Sequence, residues 1–291
     1  MSEIYLPPGC TPLNKAVVDP QIRLGIQGPP GTGKTWTALT FTNPAVGNFD
    51  RALGAHMHRE DVIDIPFYKG EFCDKIVNRA APVHPPNRSG ALKKWLMTEA
   101  LKLTADQTLV LDGLTGIDSA FGTQYNLNPV YTDSGAINKF AVWNQRMDYF
   151  SEVFDSLTDL KCNVVFICHE TVDRNDKGEL NGKVRPLIQG QFGDKIVGRL
   201  TDCFRQDVFE KPDSKEKREK AKAFFGITDT TLDRWIAKTP PEHKCMYLWQ
   251  TQGGALFNAK ASSLVNPPKY IYACWEEFQM YRRKAPISVQ S

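Results

Sequence analysis

The sequence predicts an α/β protein: a mostly parallel sheet with helices on both faces and one charged helical insertion. Short apolar runs alternate with stretches of helical spacing, the pattern of strands buried on both faces. Three of these runs end in a glycine or a polar residue, at Gly28, Asp112 and His169. In parallel sheets ligands bind beyond the carboxyl ends of the strands, so three separate segments deliver polar groups to one crevice.

In chain order, residues 1–20 carry Pro7, Pro8, Pro12 and Pro20 and read as an extended arm. Ile22 to Gln27 is a short strand, and Thr35 to about Thr42 a helix. Within 45–68 the best strand candidate is Val62-Ile63-Asp64-Ile65. Segment 81–90 is a proline-rich loop, and 91–104 has helical spacing at Leu92, Trp95, Leu96 and Leu101. Thr108 to Leu111 is a strand ending at Asp112. Residues 119–139, rich in Gly, Asn and Pro, read as a mobile loop, and 140–160 as an amphipathic helix. Asn163 to Cys168 is a buried strand ending at His169, followed by a polar loop, 171–191. Over 207–244, nine Lys/Arg face eight Asp/Glu, which reads as a solvated helical insertion (207–245) between two strands. Phe224 to Ile236 also fits a helix-turn-helix pair, but the balanced charge weakens a DNA-reading role for it. Met246 to Trp249 and Tyr270 to Tyr272 are late elements of a core spanning 21–283, with a tail at 284–291.

The bulk numbers mainly exclude. A chain of 291 residues suits one core domain with insertions. Its net charge of +3 is too small to draw a polyanion, so a nucleic-acid site has to be a local patch. Seven cysteines without a CxxC pair give no support to a zinc site. Their odd number and the lack of a signal peptide point to reduced thiols in the cytoplasm. No apolar run approaches the roughly 20 residues that span a bilayer, so no membrane role is expected.

Gly28-Pro29-Pro30-Gly31-Thr32-Gly33-Lys34-Thr35 satisfies GxxxxGK[ST], the phosphate-binding loop of ATP-binding proteins. Its glycines let successive amides point at phosphate oxygens, helped by the positive end of the next helix. Lys34 supplies a point charge for the β and γ phosphates, and Thr35 a hydroxyl ligand for Mg2+. Asp112, at the tip of an apolar strand, is the second magnesium-orienting group. His169 and Glu170 end the next strand, where a polar side chain can touch the γ-phosphate and report hydrolysis. Either Asp50 or Glu170 is placed to position the attacking water.

The order of the loop, Leu109-Val110-Leu111-Asp112-Gly113-Leu114-Thr115 and Val164-Val165-Phe166-Ile167-Cys168-His169 resembles the RecA-like P-loop NTPase core. It looks most like the small bacteriophage ATPases of that lineage, among them the Sak-type single-strand annealing recombinases. By this likeness, Gln189-Gly190-Gln191-Phe192-Gly193-Asp194-Lys195 leads out of a second DNA-binding loop into the strand at Leu200-Thr201-Asp202-Cys203-Phe204-Arg205. The resemblance then makes 119–139 the first DNA loop, with Tyr125, Asn126, Asn128 and Tyr131. It makes 171–191 the second, with Arg174, Lys177, Lys183 and Arg185. It gives Lys260 the place of a basic residue that reaches a neighbouring subunit's nucleotide, and His169 the place of a sensor. What it implies is a DNA-stimulated ATPase acting on single-stranded DNA in phage recombination, a ring or filament of identical subunits, and a phage single-strand binding protein as partner. Two other functions fit the same motifs: a ring-forming translocase or helicase-loader motor, and a nucleotide switch recruiting a protein through 207–245. Asp50 departs from the RecA pattern, which has glutamate there, and so does the insertion.

Overall fold

The structure, a computed structural model, describes residues 21–49, 52–67, 88–118, 131–174, 177, 180–188, 192–253 and 259–282. The arm 1–20, Asp50, Tyr125, Asn126, Asn128 and the tail 284–291 lie outside the described residues. In chain order the elements are β1 (Arg23–Gly28), α1 (Lys34–Ala38), β2 (Pro44–Asn48), β3 (Ile63–Ile65), α2 (Arg88–Thr98) and β4 (Thr108–Asp112). They continue with α3 (Lys139–Thr158), β5 (Asn163–Arg174), β6 (Leu180–Pro186), α4 (Phe192–Arg199) and β7 (Asp202–Glu210). The last are α5 (Lys215–Phe225), α6 (Asp229–Lys238), β8 (Cys245–Gln250), β9 (Lys260–Ala261), β10 (Tyr270–Tyr272) and α7 (Trp275–Tyr281).

The strands form one sheet in the order β10-β8-β7-β1-β5-β4-β2-β3, with β6 added to β5 and β9 to β7. From β3 through β7 every neighbouring pair on that path is parallel, while β8 and β10 turn antiparallel. The α/β class and mostly parallel P-loop NTPase sheet therefore form as expected. Alternation within the central strands explains the two layers of helices. Leu109, Leu111, Val164, Phe166 and Cys168 pack with α2, α3 and α4 on one face. Val110, Val165, Ile167, Leu24 and Ile26 pack with α1 and α7 on the other. Because both faces of β4 and of the first half of β5 are buried, the sequence shows continuous apolar runs there.

Helix α3 starts where the Asn138 side chain accepts the Ala141 amide at 3.0 Å, a cap on an otherwise unpaired donor. It buries Tyr149, Phe150, Val153, Phe154 and Leu157, spaced to share one face. Beyond its C-terminal end the buried Arg23 guanidinium donates to the carbonyls of Thr158, Leu160 and Cys162, at 3.0, 2.7 and 3.0 Å. That contact joins α3 to the base of β1 and so steadies the strand that carries the loop.

Three expectations need correction. The segment 171–191 is not simply a loop: β5 runs on to Arg174 and pairs antiparallel with β6, so Thr171 faces Arg185. Exposed polar hairpins are held by backbone pairing and leave no hydrophobic period to read. Helix α1 is five residues long, shorter than Thr35–Thr42. The region 207–245 is not merely solvated. Its first residues belong to β7, and α6 buries Leu232 and Trp235 completely against Met246, Leu248 and Tyr272.

Candidate nucleotide site

Gly28 closes β1 and Lys34 opens α1, so the intervening residues must reverse the chain within one turn. Gly31 and Gly33 do so at φ of 76° and 72°, the left-handed region where a Cβ is disfavoured. Gly33 has a second constraint, since an added Cβ would lie 2.7 Å from the Tyr247 ring. A Cβ on Gly28 would lie 2.7 Å from the Gln206 carbonyl oxygen. The first turn of so short a helix adds little field, so the loop amides carry the anion-binding capacity.

Lys34 lies inside the loop, 6% exposed. Its ammonium donates to the carbonyls of Gly28 and Pro29 at 3.0 and 2.7 Å, and more weakly to Thr32 Oγ1 at 3.5 Å. Burial pushes its pKa below the usual 10.5, while the negative groups at Asp112 and Glu170 pull the other way. A buried cation held by neutral carbonyls is a site that an anion would stabilise. Thr35 Oγ1 donates to Asp112 Oδ2 at 2.9 Å, although β5 separates the strands that lead to them. This hydroxyl and this carboxylate are the hard oxygen donors that Mg2+ accepts while keeping most of its waters, so the residues present fit that ion. Among the described residues there is no cluster of three His, Cys, Asp or Glu that would hold a metal without such help.

Strand β5 does not end at His169 as expected but carries His169 and Glu170 within its length, level with the tip of β1. His169 pairs with Gly28 across the sheet and is half-buried, next to the loop. Glu170 receives a two-pronged ion pair from Arg205, both contacts at 2.9 Å, and Arg205 also reaches Asp207 at 2.9 Å. Burial raises the Asp207 pKa and Arg205 lowers it, so the two carboxylates share one guanidinium. Both Glu170 oxygens are thus engaged, as they would not be in a carboxylate free to hold water. Lys260 is remote from the loop. Its ammonium donates to the carbonyls of Gly198, at 3.1 Å, and Leu200, and so closes the C-terminal end of α4.

Some residues at the site carry no local sequence signal. Gln206 is completely buried. Its amide donates to the Thr32 carbonyl at 2.5 Å, and its oxygen accepts Thr37 Oγ1 at 2.7 Å and Trp249 Nε1 at 3.0 Å. It ties loop, helix and β8 together from a strand about 170 residues downstream. Asn48 is paired with Asp112 across the sheet and donates to Asp64 Oδ1 at 3.2 Å, which adds two polar side chains beside the magnesium-type pair.

The model of the AAA domain family matches residues 21–227, which includes the loop, Asp112, His169, Glu170 and Gln206. The chain belongs to the AAA domain family. Such membership, with the loop and its Thr35–Asp112 pair, makes this AAA domain a P-loop ATPase core. No curated protein sequence matches it significantly. Among solved structures it is similar to the RadB recombinase, at 11% identity and TM-score 0.37 over 86% of each chain. It is also similar to the EscN ATPase of the enteropathogenic E. coli type III secretion system, at 12% identity and TM-score 0.36. That match covers 71% of this chain and 45% of EscN. A prototypical ATPase from the type III secretion system of pathogenic bacteria matches at 9% identity and TM-score 0.37, over 76% of this chain and 65% of the other. Among its described residues, this AAA domain has no helix long and apolar enough to cross a membrane.

Proposed function

We propose that the protein is a magnesium-dependent ATPase that acts on single-stranded DNA in recombination or annealing. One observation carries the link between nucleotide and DNA. Strand β5 presents His169 and Glu170 beside the loop and continues, with a register shift between Val172 and Arg174, into the β5–β6 hairpin. That hairpin bears Arg174, Lys177, Lys183 and Arg185. A change at His169 or Glu170 thereby reaches the basic hairpin within a few residues. The wider sequence resemblance to phage RecA-like ATPases supports the DNA role and an assembly of identical subunits.

In this reading Lys34 exchanges its loop carbonyls for phosphate oxygens. Thr35 and Asp112 would hold a magnesium ion, which would neutralise charge on the phosphates. Asp50 or Glu170 orients the water that attacks the γ-phosphorus, with ADP as leaving group. For Glu170 this requires Arg205 to let go of it, and a γ-phosphate competing for that guanidinium supplies a reason. His169, next to Gly28, senses the phosphate and passes the difference to the hairpin, an order–disorder change of the kind γ-phosphate switches use.

Binding of a labelled single strand, read by fluorescence anisotropy at several salt concentrations, tests the DNA role. With a non-hydrolysable ATP analogue the affinity should be measurable, tolerant of sequence, and lower as salt rises. Replacing Arg174, Lys177, Lys183 and Arg185 by alanine should weaken binding and flatten the salt slope. If the wild type binds no strand in any condition, the DNA role fails and a nucleotide switch that recruits a protein replaces it.

A further inference from the structure

Three aromatic side chains meet on one flank of the loop, and neither the phosphate chemistry nor the magnesium pair uses them. Trp36 follows Thr35 directly on α1, Tyr247 lies on β8, and His243 precedes that strand. Trp36 and Tyr247 are 5.3 Å apart between ring centres, Trp36 and His243 5.8 Å, and His243 and Tyr247 5.7 Å. All three are half-buried rather than closed into the core.

Their position follows from the sheet order. Asp112 and Glu170 belong to β4 and β5, on one side of β1, whereas β7 and β8 lie on the other. Gln206 on β7 lies against Gly28, and Tyr247 pairs with Val208, two residues further along β7. Tyr247 therefore stands beyond the tip of β1, on the flank opposite the magnesium pair. Its ring also lies where a Cβ on Gly33 would be, directly against the loop backbone. With the γ end of a triphosphate at Lys34, Thr35 and Asp112, the flank of the loop away from Asp112, where Trp36 and Tyr247 lie, is the side left for its ribose and base.

We propose that Trp36, Tyr247 and His243 form the seat for the nucleobase, and that the seat takes a purine by stacking. This rests on the nucleotide-site reading above. Trp36 and Tyr247 already touch, so the base stacks on the open side of the cluster rather than between the two rings. A flat purine gains most from such a surface, because stacking uses ring area and every base offers a face. A seat of this kind selects purine over pyrimidine and separates adenine from guanine weakly.

The test is the affinity, by titration calorimetry with magnesium, for ATP, GTP, UTP and tripolyphosphate, which lacks ribose and base. Wild-type protein should bind ATP and GTP roughly five- to a hundredfold more tightly than tripolyphosphate, with UTP between. Trp36→Leu and Tyr247→Leu, checked for folding by circular dichroism, should collapse that ratio toward one while the tripolyphosphate affinity holds. Trp36→Tyr and Tyr247→Phe, which keep a ring, should retain most of it. If wild type prefers ATP but both folded leucine variants keep the full ratio, the seat is elsewhere. ATP binding no tighter than tripolyphosphate in the wild type also overturns the seat and leaves the phosphate loop intact. If wild type binds neither ligand, the nucleotide-site reading itself fails, a distinguishable result. The wild-type comparison stands even if one leucine variant does not fold.

Discussion

Gln206 shows how one side chain can hold the loop in its working shape. Its amide and oxygen satisfy the Thr32 carbonyl, the Thr37 hydroxyl and the Trp249 indole at once, in a site without solvent. Gln206→Leu takes this partner from the Thr32 carbonyl and the Trp249 indole, while Thr37 keeps its 2.9 Å bond to the Lys34 carbonyl, and each buried orphan costs about 1–3 kcal/mol. With some relaxation the variant should lose about 2–4 kcal/mol in urea unfolding and bind ATP more weakly. Unchanged stability would show that these contacts are dispensable. Lys34 supports a pH prediction. Burial holds its folded pKa below 10.5, and a bound triphosphate raises it again, so the bound state carries more proton. Affinity for ATP should therefore fall as pH rises through the lowered pKa, with proton uptake on binding in that alkaline window. Affinity measurements across pH check this, and a flat profile there would contradict it.

Among the elements, the helix pair between β7 and β8 is docked rather than floating. Trp235 of α6 is fully buried and donates to Glu277 Oε1 at 3.1 Å, and Arg234 holds the same carboxylate at 2.8 Å. Trp235→Ala removes a large core side chain and a partner of the completely buried Glu277. It should cost about 3–5 kcal/mol, read by chemical denaturation. A cost below about 1 kcal/mol would mean that the helix pair is independent of the core. The charge run in this segment was readable as an exposed face, but its apolar spacing at Leu232 and Trp235 gives no clue to what it packs against. Strand β4 and the first half of β5 were legible because burial on both faces leaves unbroken apolar runs, and β1, with Leu24 and Ile26 between Arg23, Gly25 and Gln27, was legible from the loop that follows it. Strand β6 was not, since its pairing with β5 is a backbone matter. The phosphate loop was readable because its chemistry sits in eight consecutive residues. Gln206, Tyr247 and Asn48 reach the site only through sheet order, which local spacing does not encode. Lys260 is similar in kind. Likeness suggested a role between subunits, whereas within one chain it closes α4. If it nevertheless acts across a boundary, Lys260→Ala mixed with Lys34→Ala should recover ATP turnover, and the absence of rescue at any ratio would remove that role.

At the scale of the whole molecule, the sheet order separates tasks. The Thr35–Asp112 oxygen pair lies toward β4, the aromatic rings toward β8, and the basic hairpin continues from β5. Phosphoryl transfer depends on positioning and charge neutralisation, so removing one cation or one magnesium ligand has to show. In the proposed function Lys34, Thr35 and Asp112 hold ATP for hydrolysis. Steady-state ATP turnover with magnesium, with and without single-stranded DNA, tests it most directly in the wild type, Lys34→Ala and Asp112→Asn. Measurable turnover is expected in the wild type, more with DNA, and a fall of about a hundredfold or greater in both folded variants. Wild-type turnover in a folded Lys34→Ala protein would contradict it.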